Sequence, residues 1–586
     1  MKSQLNNYIK IFKILTSKQK RTCLGLVIMM FIGAVMETAG IGLLYPLISI
    51  IGNPESINKV GKYQFIKKIL FSFGVNNHIR FIVFSSLLLL FFYIIKNVFL
   101  VYLNKKLINF SLNNQKDYTI RLYEYYLRKP YFFHTKTNYS TISRNVSAGG
   151  DYIFMIILNY TLNIITELIT LLVIWSFLLV VDWLIALVIS FVIGPVIFIM
   201  MNFFRSRLTQ LGTTQSRASA AYGKWLVQGF FSIKETKILQ KEDFYVNQFG
   251  KVYSQYIDSS KHYKEINCIP KSLIEVIAML GIIMLIIVEV LIKRDPVAII
   301  PVMSVIALAA VRLMPGVTRI INYFNSIKFQ MPLFLEIYDD LIAVKNYKSI
   351  NEMSVIEEKK VYIPFNDTIE VRDICFKYPE TKKEILHNVT FEIPKGKFVG
   401  IIGSSGAGKT TFVDILLGLL KPQSGKILID GLDANENLSG WLNHLAYVPQ
   451  SIYLIDSSIR ENIAIGVDTN KIDDVKMEKV LKMAELYDFV QTLPEKENTS
   501  VGDKGARISG GQRQRIGIAR ALYQEPDVLV LDEATSALDA ETEKAITGTI
   551  QKLKGSITII AIAHRLSTLE KCDFKIRFEN GKTEIV

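Results

Sequence analysis

Six long apolar segments in the first half of the chain, at about 22–51, 80–103, 153–181, 183–204, 272–293 and 296–318, constrain the fold more than any other feature. Each is near the ~20 residues that a bilayer-spanning helix requires. Helices buried in a water-soluble protein would carry polar faces at helical spacing, and a stretch such as 185–201 has none. The segments therefore predict an N-terminal bundle of six membrane helices. With 586 residues, half of them hydrophobic, the chain is long enough for at least one further folding unit.

The connections set the orientation. Val181-Asp182-Trp183 and Ile292-Lys293-Arg294-Asp295 barely turn the chain, whereas 104–152 and 205–271 are long and polar. The first long segment holds eight Lys/Arg against three Asp/Glu, the second eleven against five. With Lys2, Lys10, Lys13, Lys18, Lys20 and Arg21 ahead of the first span, the excess of cations on cytoplasmic loops puts the N-terminus, both long loops and the C-terminal half in the cytoplasm. Much of the net charge of +15 is explained this way, and no nucleic-acid partner is expected. The apolar run after residue 21 is too long for a signal peptide and reads as a retained anchor. Cys23, Cys268, Cys375 and Cys572 are far apart and predict neither a disulfide framework nor a zinc site.

One outer loop breaks the charge rule. Residues 52–79 carry Lys59, Lys62, Lys67 and Lys68 against Glu55, with Phe65, Ile69 and Phe73 among apolar residues at roughly helical spacing. The pattern predicts a short amphipathic helix on the outer membrane surface, either a simple anchor or a receiver of an anionic lipid. Ionisable residues inside spans cost about 2.5–3.5 kcal/mol each at mid-bilayer and so mark interior faces. Here they include Glu37, Lys96, Glu275, Glu289 and Arg312. Arg312 and Arg319 are two helical turns apart and share a face, and Lys96 and Lys271 have the same character near the cytoplasmic side. Two readings follow. In one, Lys96 pairs with Glu37, and Arg312 with a glutamate of the fifth span, as structural ion pairs. In the other, Lys96, Lys271, Arg312 and Arg319 line a basic cavity for a phosphate or pyrophosphate group.

The second half reads differently. After a polar linker at 332–368, a strand pattern over 369–378 ends on Tyr378, which either packs or stacks on an adenine. Next comes the apolar run 398–402, then Gly403-Ser404-Ser405-Gly406-Ala407-Gly408-Lys409-Thr410-Thr411 and a helix start. This GxxxxGK[ST] spacing wraps backbone N–H groups around a polyphosphate, brings Lys409 to the terminal phosphates and sets the Thr410 hydroxyl on Mg²⁺. The predicted cofactors are therefore ATP and Mg²⁺. Asp532 and Glu533 end a second apolar strand, where Asp532 can organise the metal and Glu533 can polarise a water. His564 ends a third strand, and Gln450, after Tyr447-Val448-Pro449, is placed to sense metal and nucleotide. Ser509-Gly510-Gly511-Gln512 opens another helix and makes a second anion cradle, redundant for one nucleotide unless two domains meet head to tail.

Residues 369–586 resemble an ABC-type ATPase domain, with Walker A at 403–410, Q-loop Gln450, signature Ser509–Gln512, Walker B 528–532, catalytic Glu533, a D-loop ending at Asp539 and switch His564. Ile508 stands where the family commonly has Leu. With the spans ahead, the chain resembles an ABC exporter half-transporter. The implied fold is a six-helix transmembrane domain of type IV (1–331), a linker (332–368) and an α/β P-loop ATPase domain (369–586). The resemblance also implies two composite ATP sites in a homodimer, and coupling segments near 137–145 and 228–237. Within the family, the sequence around Arg312–Ile321 and the first span with Glu37 resemble bacterial lipid-linked oligosaccharide flippases of the protein-glycosylation type. That implies outward flipping of an undecaprenyl-pyrophosphate oligosaccharide across the bacterial cytoplasmic membrane. Export of another lipid, a drug or a peptide is the alternative.

Overall fold

The computed structural model describes residues 2–52, 78–181, 183–291, 296–347, 363–379, 381, 383–502, 505–533, 540–562 and 569–586. The expected outer amphipathic helix lies outside them. The chain divides into two compact units: Met1–Lys129 with Phe133–Glu352, and Pro130–Phe132 with Met353–Val586.

Among the described residues, the regular structure of the first unit is all helical. Its main elements are α1 (Lys2–Lys13), α2 (Ser17–Gly52), α3 (His78–Leu127), α4 (Tyr131–Lys136) and α5 (Tyr139–Gly150). A π-helical stretch Asp151–Leu158 leads into α6 (Asn159–Val181), followed by α7 (Trp183–Phe203), α8 (Arg205–Phe231), α9 (Ile233–Ile238), α10 (Glu242–Leu291) and α11 (Pro296–Asn346). Helices α3 and α10 run 50 residues and α11 runs 51. At 1.5 Å per residue that is about 75 Å, more than twice the ~30 Å hydrocarbon core, so each has a polar extension well beyond any span.

Among the described residues, Ser17–Leu44, Ile82–Leu127 and Tyr139–Val180 are long and apolar enough to cross a membrane. The segments expected at 183–204, 272–293 and 296–318 fall on α7, α10 and α11. Large apolar side chains point outward, among them Leu90, Phe91, Val98 and Val101 on α3 and Phe191 on α7. A lipid solvent accommodates such a surface where water would not. Inside, Ile14, Met30, Leu103, Phe154, Leu162, Phe334 and Ile337 form one buried cluster.

One expected boundary changes. The stretch expected as linker from 332 begins as helix, because Leu333, Phe334, Ile337, Leu341 and Val344 recur at helical spacing and are buried. Of the segments expected to couple, 137–145 opens on the break between α4 and α5, and 228–237 covers the end of α8 and most of α9.

The second unit is built on two sheets. One has the order β2-β1-β4-β5, from Thr368–Phe376 (β1), Leu386–Pro394 (β2), Ser424–Ile429 (β4) and Leu432–Asp433 (β5). The other has the order β10-β9-β3-β8-β7-β6, from Phe398–Gly403 (β3), Leu445–Val448 (β6), Val528–Asp532 (β7), Thr558–Ile562 (β8), Phe574–Glu579 (β9) and Lys582–Ile585 (β10). Strands β9, β3, β8, β7 and β6 run parallel, and β7 and β8 are buried at every position, as a sheet covered on both faces requires.

Helix packing in the first unit is close where glycine permits it. A Cβ on Gly212 of α8 would lie 1.9 Å from the Phe329 carbonyl oxygen of α11. Gly212→Val should therefore force the two helices apart at a cost of about 1–3 kcal/mol. A clear fall in the thermal unfolding midpoint of the detergent-solubilised chain is the expected outcome.

Candidate functional site

The glycine-rich loop leaves β3 and enters α12 (Lys409–Leu416). Gly403, Gly406 and Gly408 hold φ values of +152°, +80° and +106°, a region closed to most L-residues. Space demands glycine at two of them: a Cβ on Gly403 would sit 2.3 Å from the Phe578 carbonyl oxygen, and one on Gly408 2.7 Å from Leu386 Cδ2. Ser404, Ser405 and Gly406 are exposed, Ala407 is buried and Thr410 is exposed. The Lys409 ammonium is buried and donates to the carbonyls of Gly403 at 2.7 Å and Ser404 at 2.9 Å. A cation curled inside a loop of glycine-permitted turns fits a polyphosphate.

Around this loop stand the strand-end residues. Asp532, buried at the end of β7, accepts from the Tyr447 hydroxyl at 3.3 Å. Asp414, one helical turn beyond Thr410, lies in its field, and burial followed by the charge of Asp532 pushes the Asp414 carboxyl up to about 6. Among the described residues no group of three or more His, Cys, Asp or Glu is gathered to hold a metal. A Mg²⁺ here would need phosphate oxygens and the Thr410 hydroxyl to complete its shell. Glu533 sits at φ +50°, a strained conformation costing on the order of 1–3 kcal/mol, with its N–H on the Ile562 carbonyl. The exposed Gln450 donates to the Glu533 carboxylate at 2.6 Å, which brings these two predicted residues together. Tyr378 is half-buried, its hydroxyl 3.3 Å from Thr411 Oγ1 and its ring edge-on to Phe376. His564 and Asp539 lie outside the described residues.

Ser509 caps α13 (Gly510–Tyr523) in a reciprocal box. Its hydroxyl accepts from the Gln512 N–H at 3.2 Å, and Gln512 Oε1 accepts from the Ser509 N–H at 2.9 Å. Gly510 is exposed at the helix start and Gly511 is half-buried.

The two cradles occupy opposite faces of one sheet. Val399, Ile401, Val528, Val530, Ile560 and Ile562 pack with Phe412, Val413 and Ile415 of α12. Phe398, Leu529, Leu531, Ile559 and Ala561 pack instead with Ile516, Ile518 and Ala519 of α13. Alternation along the strands produces this split.

Residues 386–536 match the family model described as ABC transporter. The chain carries an ABC transporter domain. It is 39% identical over 241 residues to the heterocyst differentiation ATP-binding protein HepA of Nostoc sp., taking in 41% of this chain and 39% of that protein. It is 40% identical over 240 residues to ATP-binding cassette sub-family B member 5 of Mus musculus, 41% of this chain and 19% of that protein. It is 41% identical over 217 residues to the ABC multidrug transporter MDR2 of Trichophyton rubrum, 37% of this chain and 16% of that protein. The chain thus spans well under half the length of these curated relatives. A solved bacterial Atm1-family ABC exporter with ATP bound superposes with a TM-score of 0.76 at 20% identity, over 97% of this chain and 96% of that one. The whole chain has the fold of an ABC exporter.

In the helical unit, the structure replaces the expected pairing of Arg312. Its Nη2 lies 2.7 Å from Glu37 of α2 and its Nη1 3.5 Å from Glu167 of α6, and Arg319 Nε lies 2.7 Å from Glu167. These carboxylates come from α2 and α6, not from the fifth span, because α11 packs against both helices. Glu167 escaped the sequence reading, although an acid inside the apolar run 153–181 was the signal for it. Lys96 places its ammonium 4.1 Å from the centroid of the Tyr93 ring, and Lys271 is exposed on α10.

Because both arms of the Ser509 cap are made, Ser509→Ala should cost the ABC domain about 1 kcal/mol, with Ser509→Thr recovering most of it. Thermal unfolding of the three full-length proteins reads the difference.

Proposed function

We propose that this chain is half of an ATP-driven exporter that works as a homodimer in the bacterial cytoplasmic membrane, with its ABC domain in the cytoplasm and six membrane spans. The placement of the Walker loop and the signature helix on opposite faces of one sheet supports this above all. A single chain presents its two cradles in opposite directions; two copies head to tail bring the loop of one to the signature of the other. In that pairing Gly403–Thr411 and Tyr378 hold one side of ATP, and Ser509–Gln512 and Asp539 of the second copy hold the other. Thr410, Gln450 and Asp532 hold Mg²⁺, which neutralises phosphate charge. Glu533 then orients the attacking water, with His564 toward the γ-phosphate. Release of Glu533 from Gln450 is the local change this step requires.

The proposed cargo is an anionic lipid, most specifically an undecaprenyl-pyrophosphate-linked oligosaccharide, with Arg312, Arg319, Lys96 and Lys271 toward its phosphates. Arginines two turns apart on one helix suit a diphosphate. The relatives named as multidrug transporters favour a second reading, export of a drug.

Glu533→Gln should bind ATP with wild-type affinity and lose at least about a hundredfold in ATP turnover, on the scale of a removed general base. In proteoliposomes, ATP-dependent movement of a lipid-linked oligosaccharide should vanish in the same variant. Transport that survives there, or is absent in the wild type, would sink the proposal.

A further inference from the structure

The helical unit holds a charge cluster whose composition goes beyond a basic cavity. Arg312, Gly316 and Arg319 stand at i, i+4 and i+7 on α11 and share one face. Glu167 of α6 lies against that face, with Oε2 3.5 Å from Arg312 Nη1 and Oε1 2.7 Å from Arg319 Nε. Gly316 leaves room for it: a Cβ there would stand 3.0 Å from Glu167 Oε2 and would press on the carboxylate. Glu37 of α2 takes Nη2 of Arg312 at 2.7 Å. Lys96 also lies within electrostatic reach of Glu37 and Arg312, so three cations share two carboxylates. Arg312 Nε is buried and has no hydrogen-bond partner among the described residues, so one donor of the guanidinium is left over.

We propose that Arg312-x₃-Gly316-x₂-Arg319 is an anion notch, that Glu167 and Glu37 are its built-in counter-anions, and that the phosphate of an anionic lipid exchanges with them. This deepens the cargo reading above and rests on it. A carboxylate and a phosphate offer the same planar pair of acceptor oxygens to a guanidinium. Two unpaired arginines inside a span would carry a heavy penalty, whereas arginines held by exchangeable carboxylates are paired between loads. A dianionic head group takes guanidinium donors from the two carboxylates, which stay ionised within reach of Arg312, Arg319 and Lys96, and a neutral lipid cannot drive that exchange. Glu37 and Glu167 thereby become determinants of specificity as well as ties between helices.

The test uses the full-length chain in nanodiscs of neutral phosphatidylcholine, titrated with undecaprenyl pyrophosphate or with uncharged undecaprenol while ATPase activity is followed. Glu167→Gln removes the carboxylate that bridges both arginines. It should lower the half-maximal concentration of undecaprenyl pyrophosphate about tenfold, within the usual range of coupling between two sites, and leave the undecaprenol response unchanged. Glu37→Gln should move the pyrophosphate response in the same direction by less, and it carries the test alone if Glu167→Gln does not fold. A purely structural tie would lower the unfolding temperature without altering the ratio of the two lipid responses. If the wild type prefers undecaprenyl pyrophosphate and the variants show the same or a higher half-maximal concentration, the exchange is overturned and the cargo reading survives. If neither wild type nor variants tell the two lipids apart, both fall.

Discussion

Side-chain alternation along β7 is the constraint on which the ABC domain depends. Val528 and Val530 face the core shared with the phosphate-loop helix, and Leu529 and Leu531 face the core shared with the signature helix. A strand buried on both faces must be apolar along its interior, as Val528–Leu531 are, and its carboxylates can stand only at its end. Asp532 and Glu533 are placed by that rule. So are the phosphate-loop helix and the signature helix, which lie on opposite faces of the sheet.

The helical unit obeys a second constraint, that charge in lipid must be balanced locally. The arginines of α11 meet this with carboxylates from two other helices, so the ion pairs also staple α2, α6 and α11. Gly316 gives up side-chain packing for a carboxylate's approach, just as Gly212 does for the approach of the α11 backbone. Beyond the apolar spans α11 and its neighbours are also tied by polar contacts. Lys129 and the Tyr126 hydroxyl meet Asp340 at 2.9 and 2.8 Å, and Arg144 reaches the Ser216 carbonyl at 2.9 Å and the carboxylate of Glu336. These contacts add to the buried apolar cluster that Leu122, Tyr126, Phe334 and Ile337 form in the same extensions.

Much of the architecture was legible because its signals are local. The apolar runs, the glycine-rich spacing after β3 and the Ser-Gly-Gly-Gln helix start each encode their own conformation, and the ABC domain and exporter fold follow from them. The course of α11 beyond residue 332 was misread because its polar residues dominate composition, while Phe334, Ile337 and Leu341 carry the helical period underneath. The partners of Arg312 could not be read at all. Glu37 lies 275 residues away and Glu167 145, and no periodicity links residues across such distances.

The sequence by itself determined which segments are apolar enough for lipid, where a phosphate-sized turn stands and which carboxylates end buried strands. Those properties reside in short stretches whose backbone preferences and solvation are nearly independent of the rest. Only the tertiary structure decided which charges meet on α11, that Gln450 reaches Glu533, and that the two cradles face apart. Each is a relation between distant residues, set by how helices pack and which face of a sheet they cover.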